Sequence, residues 1–192
     1  WNSMGRTIVS ETLTMLLRQG AGTTERLVHW LTTASNDELK ALLAGTPAAG
    51  GFHGAPETLA SIRTVLTQYI TPHKYLPSGD FSFRDWLDDG HGSLWITWRE
   101  DMLQALKPLI SCWTDVTCAS VLSMPEDAAR RMHLICHELD SLAKLNYLIH
   151  AATKGRKKGL RIVAGVQSPA QLNAIYGRVD ALALRNCFRS SL

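Results

Sequence analysis

The chain has 192 residues, 45% of them hydrophobic and 19% charged, with a formal net charge of +3. That balance belongs to a soluble globular chain and excludes a fully disordered one. The length suits one domain, or one domain with a small appendage. No run approaches the roughly 18 apolar residues of a membrane span. The chain begins with Trp1, not Met, with no signal peptide after it, and reads as a piece of a longer protein. Cys112, Cys118, Cys136 and Cys187 lack framework spacing and are expected as reduced thiols of a cytosolic compartment. The charge is unevenly distributed. Residues 1–150 carry 12 Lys/Arg against 16 Asp/Glu, a net of −4, whereas residues 151–192 carry 8 against 1, a net of +7. A surplus of that kind suits phosphates, or else makes a solvated basic face.

In chain order, the first 76 or so residues read as helices. Thr7–Arg18 has apolar residues near a 3.6-residue period (Ile8, Val9, Leu13, Leu16, Leu17), with Gly20 and Gly22 ending it. Thr23 or Thr24 can cap the next helix, and Ser35 with Glu38 spells a capping box for a helix through Leu43. Gly45 stops that helix, and Gly50, Gly51 and Gly54 suggest a flexible loop. Pro56 opens a long helix with Leu59, Ile62, Val65, Leu66, Tyr69 and Ile70 on one face. No strand is expected before residue 90.

The pattern then changes. Ser93–Trp98 (SLWITW), Met132–Cys136 (MHLIC) and Arg161–Val166 (RIVAGV) read as strands. Between and after them, Met102–Leu122 reads as helical, with Pro108 restarting or kinking it. Asn146–Lys154 reads as a helix, and Ser168-Pro169-Ala170-Gln171 as the start of another with a capping box. Strands alternating with helices imply a parallel sheet under covering helices, an α/β fold.

In such sheets ligands sit at the carboxyl ends of strands. Two strands end in polar residues, His137-Glu138 and Gln167-Ser168. A strand-end carboxylate can polarise a water, and a neighbouring amide can orient it. Alternatively, Glu138 pairs with an arginine and Gln167 caps a helix. No GxxxxGK[ST] loop occurs, so the chain has no evident cradle for a triphosphate. A zinc reading fails, because HExxH needs a histidine at position 141, where Ser141 stands, and no paired CxxC exists. No GxSxG elbow supports a hydrolase triad.

Several stretches, in order, resemble conjugative coupling proteins of the TraD/TrwB type. They are Phe81-Ser-Phe-Arg-Asp-Trp-Leu87, Trp95-Ile-Thr-Trp-Arg-Glu-Asp-Met102, Leu106-Lys-Pro-Leu-Ile-Ser111, Glu138-Leu-Asp-Ser-Leu142, Thr153-Lys-Gly-Arg-Lys-Lys-Gly-Leu-Arg161, Val163-Ala-Gly-Val-Gln-Ser168, Gln171-Leu172 and Tyr176-Gly177. Residues 1–78, with Ala34-Ser-Asn36 and Leu42-Leu-Ala-Gly-Thr-Pro-Ala48, resemble that family's all-helical insertion domain. Residues 79–192 resemble the C-terminal part of its RecA-like nucleotide-binding domain.

The resemblance implies a hexamer-forming P-loop ATPase at the cytoplasmic face of the bacterial inner membrane. Such a motor links a relaxase–DNA complex, with its accessory proteins, to a type IV secretion channel and drives DNA transfer. It implies ATP and Mg²⁺ in an intact parent and no cofactor for this chain alone, with the P-loop and membrane anchor upstream of Trp1. By the same resemblance Glu138 takes the water-activating position after the Walker B strand. Gln167 takes a sensor position, and Arg156 that of an arginine reaching a neighbouring subunit's nucleotide. His137 stands where the family carries Asp, and imidazole is a poor Mg²⁺ ligand. Lys154, Lys157 and Lys158 are the nucleic-acid candidates. The rival readings are a non-catalytic helical module that docks relaxase or accessory protein, and a related DNA-translocating ATPase.

Overall fold

The structure is a computed structural model that describes residues 2–52, 56–77 and 79–188. Two compact units form, Trp1–Asp80 and Phe81–Leu192. Each has its own apolar core.

The first unit is helical throughout its described residues. Helix α1 (Asn2–Arg18) ends at Gly20, whose φ of 66° suits a residue without Cβ. Thr23 then caps α2 (Thr24–Val28) by accepting a hydrogen bond from the Arg26 N–H, and the chain continues as a π-helical turn through Thr33. Ser35 and Glu38 form the reciprocal capping box at the start of α3 (Asn36–Leu42). The Ser35 N–H donates to Glu38 Oε2 at 2.8 Å, and the Glu38 N–H donates to Ser35 Oγ at 3.2 Å. Donation from Ser35 holds the Glu38 carboxyl below the usual carboxylate range. Helix α4 (Pro56–Ile70) buries Leu59, Ile62, Leu66 and Ile70 against Ile8, Leu31, Leu39 and Leu43.

Three expectations are corrected here. Val65 and Tyr69 of α4 are exposed, as are Leu13 and Leu17 of α1. Their sequence stripe is wider than the face that the other helices cover. Gly50 and Gly51 lie in a 3₁₀ helix, Pro47–Phe52, and not in an open loop. Gly54 lies outside the described residues.

The second unit begins with α5 (Phe83–Asp89), capped by Ser82 and closed by Gly90 in the left-handed region. The segment 93–98 does not form the expected strand. Residues 91–98 make no backbone–backbone hydrogen bond to another described residue, so no neighbour among the described residues pairs with the segment. Strand propensity is realised only against such a neighbour. The alternation survives in burial: Ile96 and Trp98 pack on the core, whereas Trp95 is 83% exposed.

Helix α6 (Leu103–Ser123) runs through Pro108 as one element. The hydrogen bond Pro108 cannot donate would have gone to the carbonyl of Gln104, an exposed residue in the first turn. Strand β1 (Met132–Cys136), helix α7 (Leu148–Lys154) and strand β2 (Leu160–Ala164) follow. They lead into α8 (Pro169–Tyr176) and α9 (Arg178–Cys187). β1 and β2 pair in parallel, from Met132 opposite Leu160 to Cys136 opposite Ala164. The sheet of the described residues therefore has two strands, not three.

One face of the pair (Met132, Leu134, Cys136, Leu160, Ile162, Ala164) packs on α6, α7, α8 and α9 through residues such as Cys118, Val121, Leu148, Leu172 and Leu184. The other face (His133, Ile135, Arg161, Val163) is exposed, Ile135 by 69% and Val163 by 56%. Burial pushes the Cys136 thiol up to about 11, and both the Cys118 thiol and the Tyr176 hydroxyl up to about 12.

Leu31→Ala and Leu148→Ala each remove a side chain with no exposed surface, one from each core. Each is expected to cost about 2–5 kcal/mol. Urea unfolding followed by tryptophan fluorescence checks this, with limited proteolysis reporting which unit has loosened.

Candidate functional site

The two strand ends meet through the backbone. The Gly165 N–H donates to the Cys136 carbonyl at 2.8 Å, and the Leu139 N–H donates to the Gly165 carbonyl at 2.9 Å. A Cβ on Gly165 would stand 2.1 Å from the His137 carbonyl oxygen, so only glycine lets the two turns close on each other. The turn after β1 tightens into a 3₁₀ helix, Leu139–Ser141. Asp140 Oδ2 there accepts from the Gln167 N–H at 3.1 Å. This hydrogen bond spans 27 residues and fastens the turn that carries Glu138 to the one that carries Gln167.

The side chains can be placed in turn. Glu138 is half-buried, and its Oε2 accepts from the Ser141 hydroxyl at 3.2 Å. It has no arginine partner among the described residues, contrary to the alternative drawn from sequence. Gln167 does not cap α8. Ser168 does, accepting from the Gln171 N–H, while the Gln171 side-chain amide donates to Gln167 Oε1 at 3.2 Å. That side chain is thus turned toward Gln167. His137 is exposed.

From sequence Asp140 is only an alternative carboxylate for supporting a metal ion, and its contact with Gln167 is not foreseen. Its Oδ1 is buried without a hydrogen-bond partner, the one such side-chain atom among the described residues. An unpaired buried acceptor costs about 1–3 kcal/mol unless something else satisfies it.

Arg156 lies elsewhere. It sits in the 3₁₀ turn Gly155–Lys158 that leads into β2, at the amino end of the strand pair. Five residues at roughly 3.3 Å each put about 15 Å of strand between it and the carboxyl end. The structure therefore does not bring Arg156 together with Glu138 and Gln167 within one chain. Arg156 is exposed and makes no ion pair among the described residues. Asp180 pairs with Lys144 at 2.8 Å. Lys154, Lys157 and Lys158 surround Arg156 in sequence and line one groove. Arg189, also part of the basic surplus, lies outside the described residues.

No cluster of three or more His, Cys, Asp or Glu side chains that could hold a metal occurs among the described residues. No described helix is long and apolar enough to cross a membrane.

Comparison with known proteins decides the family. The family described as "Type IV secretion-system coupling protein DNA-binding domain" matches residues 1–192. The chain belongs to that family. The coupling protein TraD of Escherichia coli K12 is 35% identical over 195 aligned positions, which cover 96% of this chain and 27% of TraD. The unbound monoclinic form of the bacterial conjugative coupling protein TrwBdeltaN70 superimposes with a TM-score of 0.92 at 49% identity. That match covers 98% of this chain and 46% of the other. TrwB solved in complex with ADP and Mg²⁺ matches equally well, with a TM-score of 0.92 and 49% identity over 99% of this chain and 46% of that one. The fold of this coupling-protein chain is accordingly a partial RecA-like parallel sheet with covering helices, preceded by a helical domain. The chain spans about a quarter of TraD's length and just under half of the solved TrwB chain.

The close approach at Gly165 gives a direct test of this local geometry. Gly165→Ala would place a methyl against the His137 carbonyl and is expected to cost about 1–3 kcal/mol. Thermal unfolding measures the loss. Faster amide exchange at Leu139 and Gln167 would locate it at the strand ends.

Proposed function

We propose that this chain carries the water-activating edge of a nucleotide-driven motor that moves DNA in conjugation. The observation that carries the proposal is the fastening of the Glu138 turn to the Gln167 turn at the carboxyl ends of two parallel strands, in a chain 49% identical to TrwB. Residues 1–78 serve as the helical insertion domain and 79–192 as the C-terminal part of the nucleotide domain. The exposed sheet face and the unpaired segment 93–98 are where further strands and helices would complete that domain. A parallel sheet is ordinarily covered on both faces.

The donor set fits Mg²⁺ in the manner that ion prefers, one or two carboxylates with water completing the shell. Glu138 and Asp140 offer hard oxygens, and the unpartnered Asp140 Oδ1 is a candidate acceptor for a bound water. When bound, Mg²⁺ would neutralise charge on the phosphates. Glu138 accepts the proton of the attacking water, and Gln167 Oε1 and Nε2 orient that water. Gln171 holds the Gln167 amide in one orientation through Oε1.

Arg156, about 15 Å of strand away, acts on the nucleotide of an adjoining copy in a ring. Its planar, permanently charged fork suits the charge that develops on the transferred phosphoryl group. Lys154, Lys157 and Lys158 contact DNA phosphates. In this reading the assembled protein is a homo-hexamer at the cytoplasmic face of the inner membrane, engaging relaxase, accessory protein and the secretion channel.

The test is a chimera in which this chain replaces its matched segment of TrwB. Arg156→Ala is expected to keep ATP affinity and lose about 10³-fold or more of hydrolysis. Mixing it with the Glu138→Gln chimera should restore part of the activity, because some interfaces then pair an intact Glu138 with an intact Arg156. Phosphate release from the mixture measures this. No rescue, or a fall in thermal stability with Arg156→Ala, would place Arg156 in a structural role within its own chain.

A second arm concerns the metal. His137→Asp in the same chimera is expected to raise turnover and to lower the Mg²⁺ concentration needed for half-maximal rate. An unchanged Mg²⁺ dependence would assign the ion's support to Asp140.

A further inference from the structure

A groove of about 590 Å³ runs beside the C-terminal end of α7 and the turn before β2. It is remote from the strand-end carboxylates. Lys154, Lys157 and Lys158 form its cationic side. Lys154 closes α7, Lys157 and Lys158 follow in the 3₁₀ turn, and all three line the groove. The opposing acid is Glu126, and Lys157 Nζ stands 3.9 Å from its Oε1. Both side chains are mostly exposed, and such a pair is worth about 0–1 kcal/mol. Lys157 can therefore exchange Glu126 for a phosphate. Lys154 and Lys158 make no ion pair among the described residues.

The apolar element of the groove is the Tyr147 ring, 47% exposed, beside Leu122. The backbone that presents this ring is anchored. The Tyr147 N–H donates to Asp115 Oδ1 at 2.7 Å, and the Asn146 side-chain amide donates to Asp115 Oδ2 at 3.2 Å. One carboxylate on α6 thus fixes the turn that begins α7. The Tyr147 carbonyl is also engaged, accepting from the Ala151 N–H at 2.8 Å. The backbone entropy of presenting the ring is already lost in the free protein, so a ligand need not supply it.

We propose that this groove binds single-stranded DNA, with a base stacked on Tyr147 and neighbouring phosphates on Lys154, Lys157 and Lys158. The proposal rests on the reading of these lysines as DNA contacts and adds the stacking residue. An exposed ring on an anchored backbone, beside lysines that line the same groove, matches what single strands require, a π-face for the base and a positive track for the backbone. In a duplex the bases are stacked on one another, and Tyr147 would have nothing to accept.

The test uses the 192-residue chain and a fluorescein-labelled oligothymidylate of about 15 nucleotides, with anisotropy read over a salt series. Tyr147→Ala is expected to weaken binding by about 10-fold, within the range of one lost base stack, and to leave the slope of log affinity against log salt unchanged. Tyr147→Phe should bind as the parent does. Replacing Lys154, Lys157 and Lys158 together by Gln should flatten the slope by about 2, at roughly 0.7 per phosphate on a single strand. Circular dichroism confirms that each variant folds.

If the parent chain binds and Tyr147→Ala binds equally well, the stacking site is wrong while the DNA reading stands. If the parent binds no oligonucleotide at low salt, both fall. Duplex DNA binding as tightly as the single strand would overturn the choice of strand type. Displacement of the oligonucleotide by millimolar ATP would make the groove a mononucleotide site and overturn the proposal.

Discussion

Among the described glycines of the second unit, Gly165 leaves the least room for a Cβ, and the arrangement of the strand ends depends on it. Parallel pairing brings Cys136 opposite Ala164, and the next residue must then pass directly under the His137 carbonyl. No side chain fits there. Because glycine does, two hydrogen bonds carry the pairing one step past the strands, and the turn after β1 folds over the turn after β2. Asp140 then closes onto the Gln167 N–H. Glu138 and Gln167 are juxtaposed by backbone geometry, without a direct hydrogen bond between their side chains. A site built this way is set by the sheet and not by surface rotamers, which is the rigidity that positioning a water demands.

Local signals were legible in the sequence, and non-local ones were not. The Ser35–Glu38 box and the Ser168 cap involve residues three apart, and both caps are present. The box that Gln171 was expected to complete is not closed, since its amide turns to Gln167. β1 coincides with the run read as a strand, and β2 begins one residue earlier and ends two residues sooner than the run RIVAGV. Segment 93–98 has strand composition and strand-like alternation, but a strand is a relationship between two segments, and its partner is not among the described residues. Helix α9 was not anticipated. Its buried contribution is only Ala181 and Leu184, too sparse a stripe to stand out.

The same division holds for the candidate site. Glu138 and Gln167 were visible because each follows an apolar strand-like run. The contact of Asp140 with Gln167 and the role of Tyr147 were not, because their partners lie 27 and 32 residues away. A spacing rule has no access to such contacts. His137-Glu138 and the basic turn around Arg156 were legible as composition. That they lie at opposite ends of one strand pair followed only from the parallel register. This separation is the physical reason for assigning Arg156 to an adjoining copy. Acidic chemistry collects at the carboxyl ends and cationic chemistry at the amino end, so a ring would bring the two together only across an interface.

A structure of the TrwB chimera in a closed ring, bound to a non-hydrolysable ATP analogue and Mg²⁺, measures that arrangement most directly. The expected result has the γ-phosphate at the carboxyl ends of β1 and β2, with a water between it and Glu138 in contact with Gln167. The guanidinium over the phosphate would come from Arg156 of the neighbouring copy. A nucleotide seated away from those strand ends, or an Arg156 folded back onto its own chain with the ring closed, would contradict it.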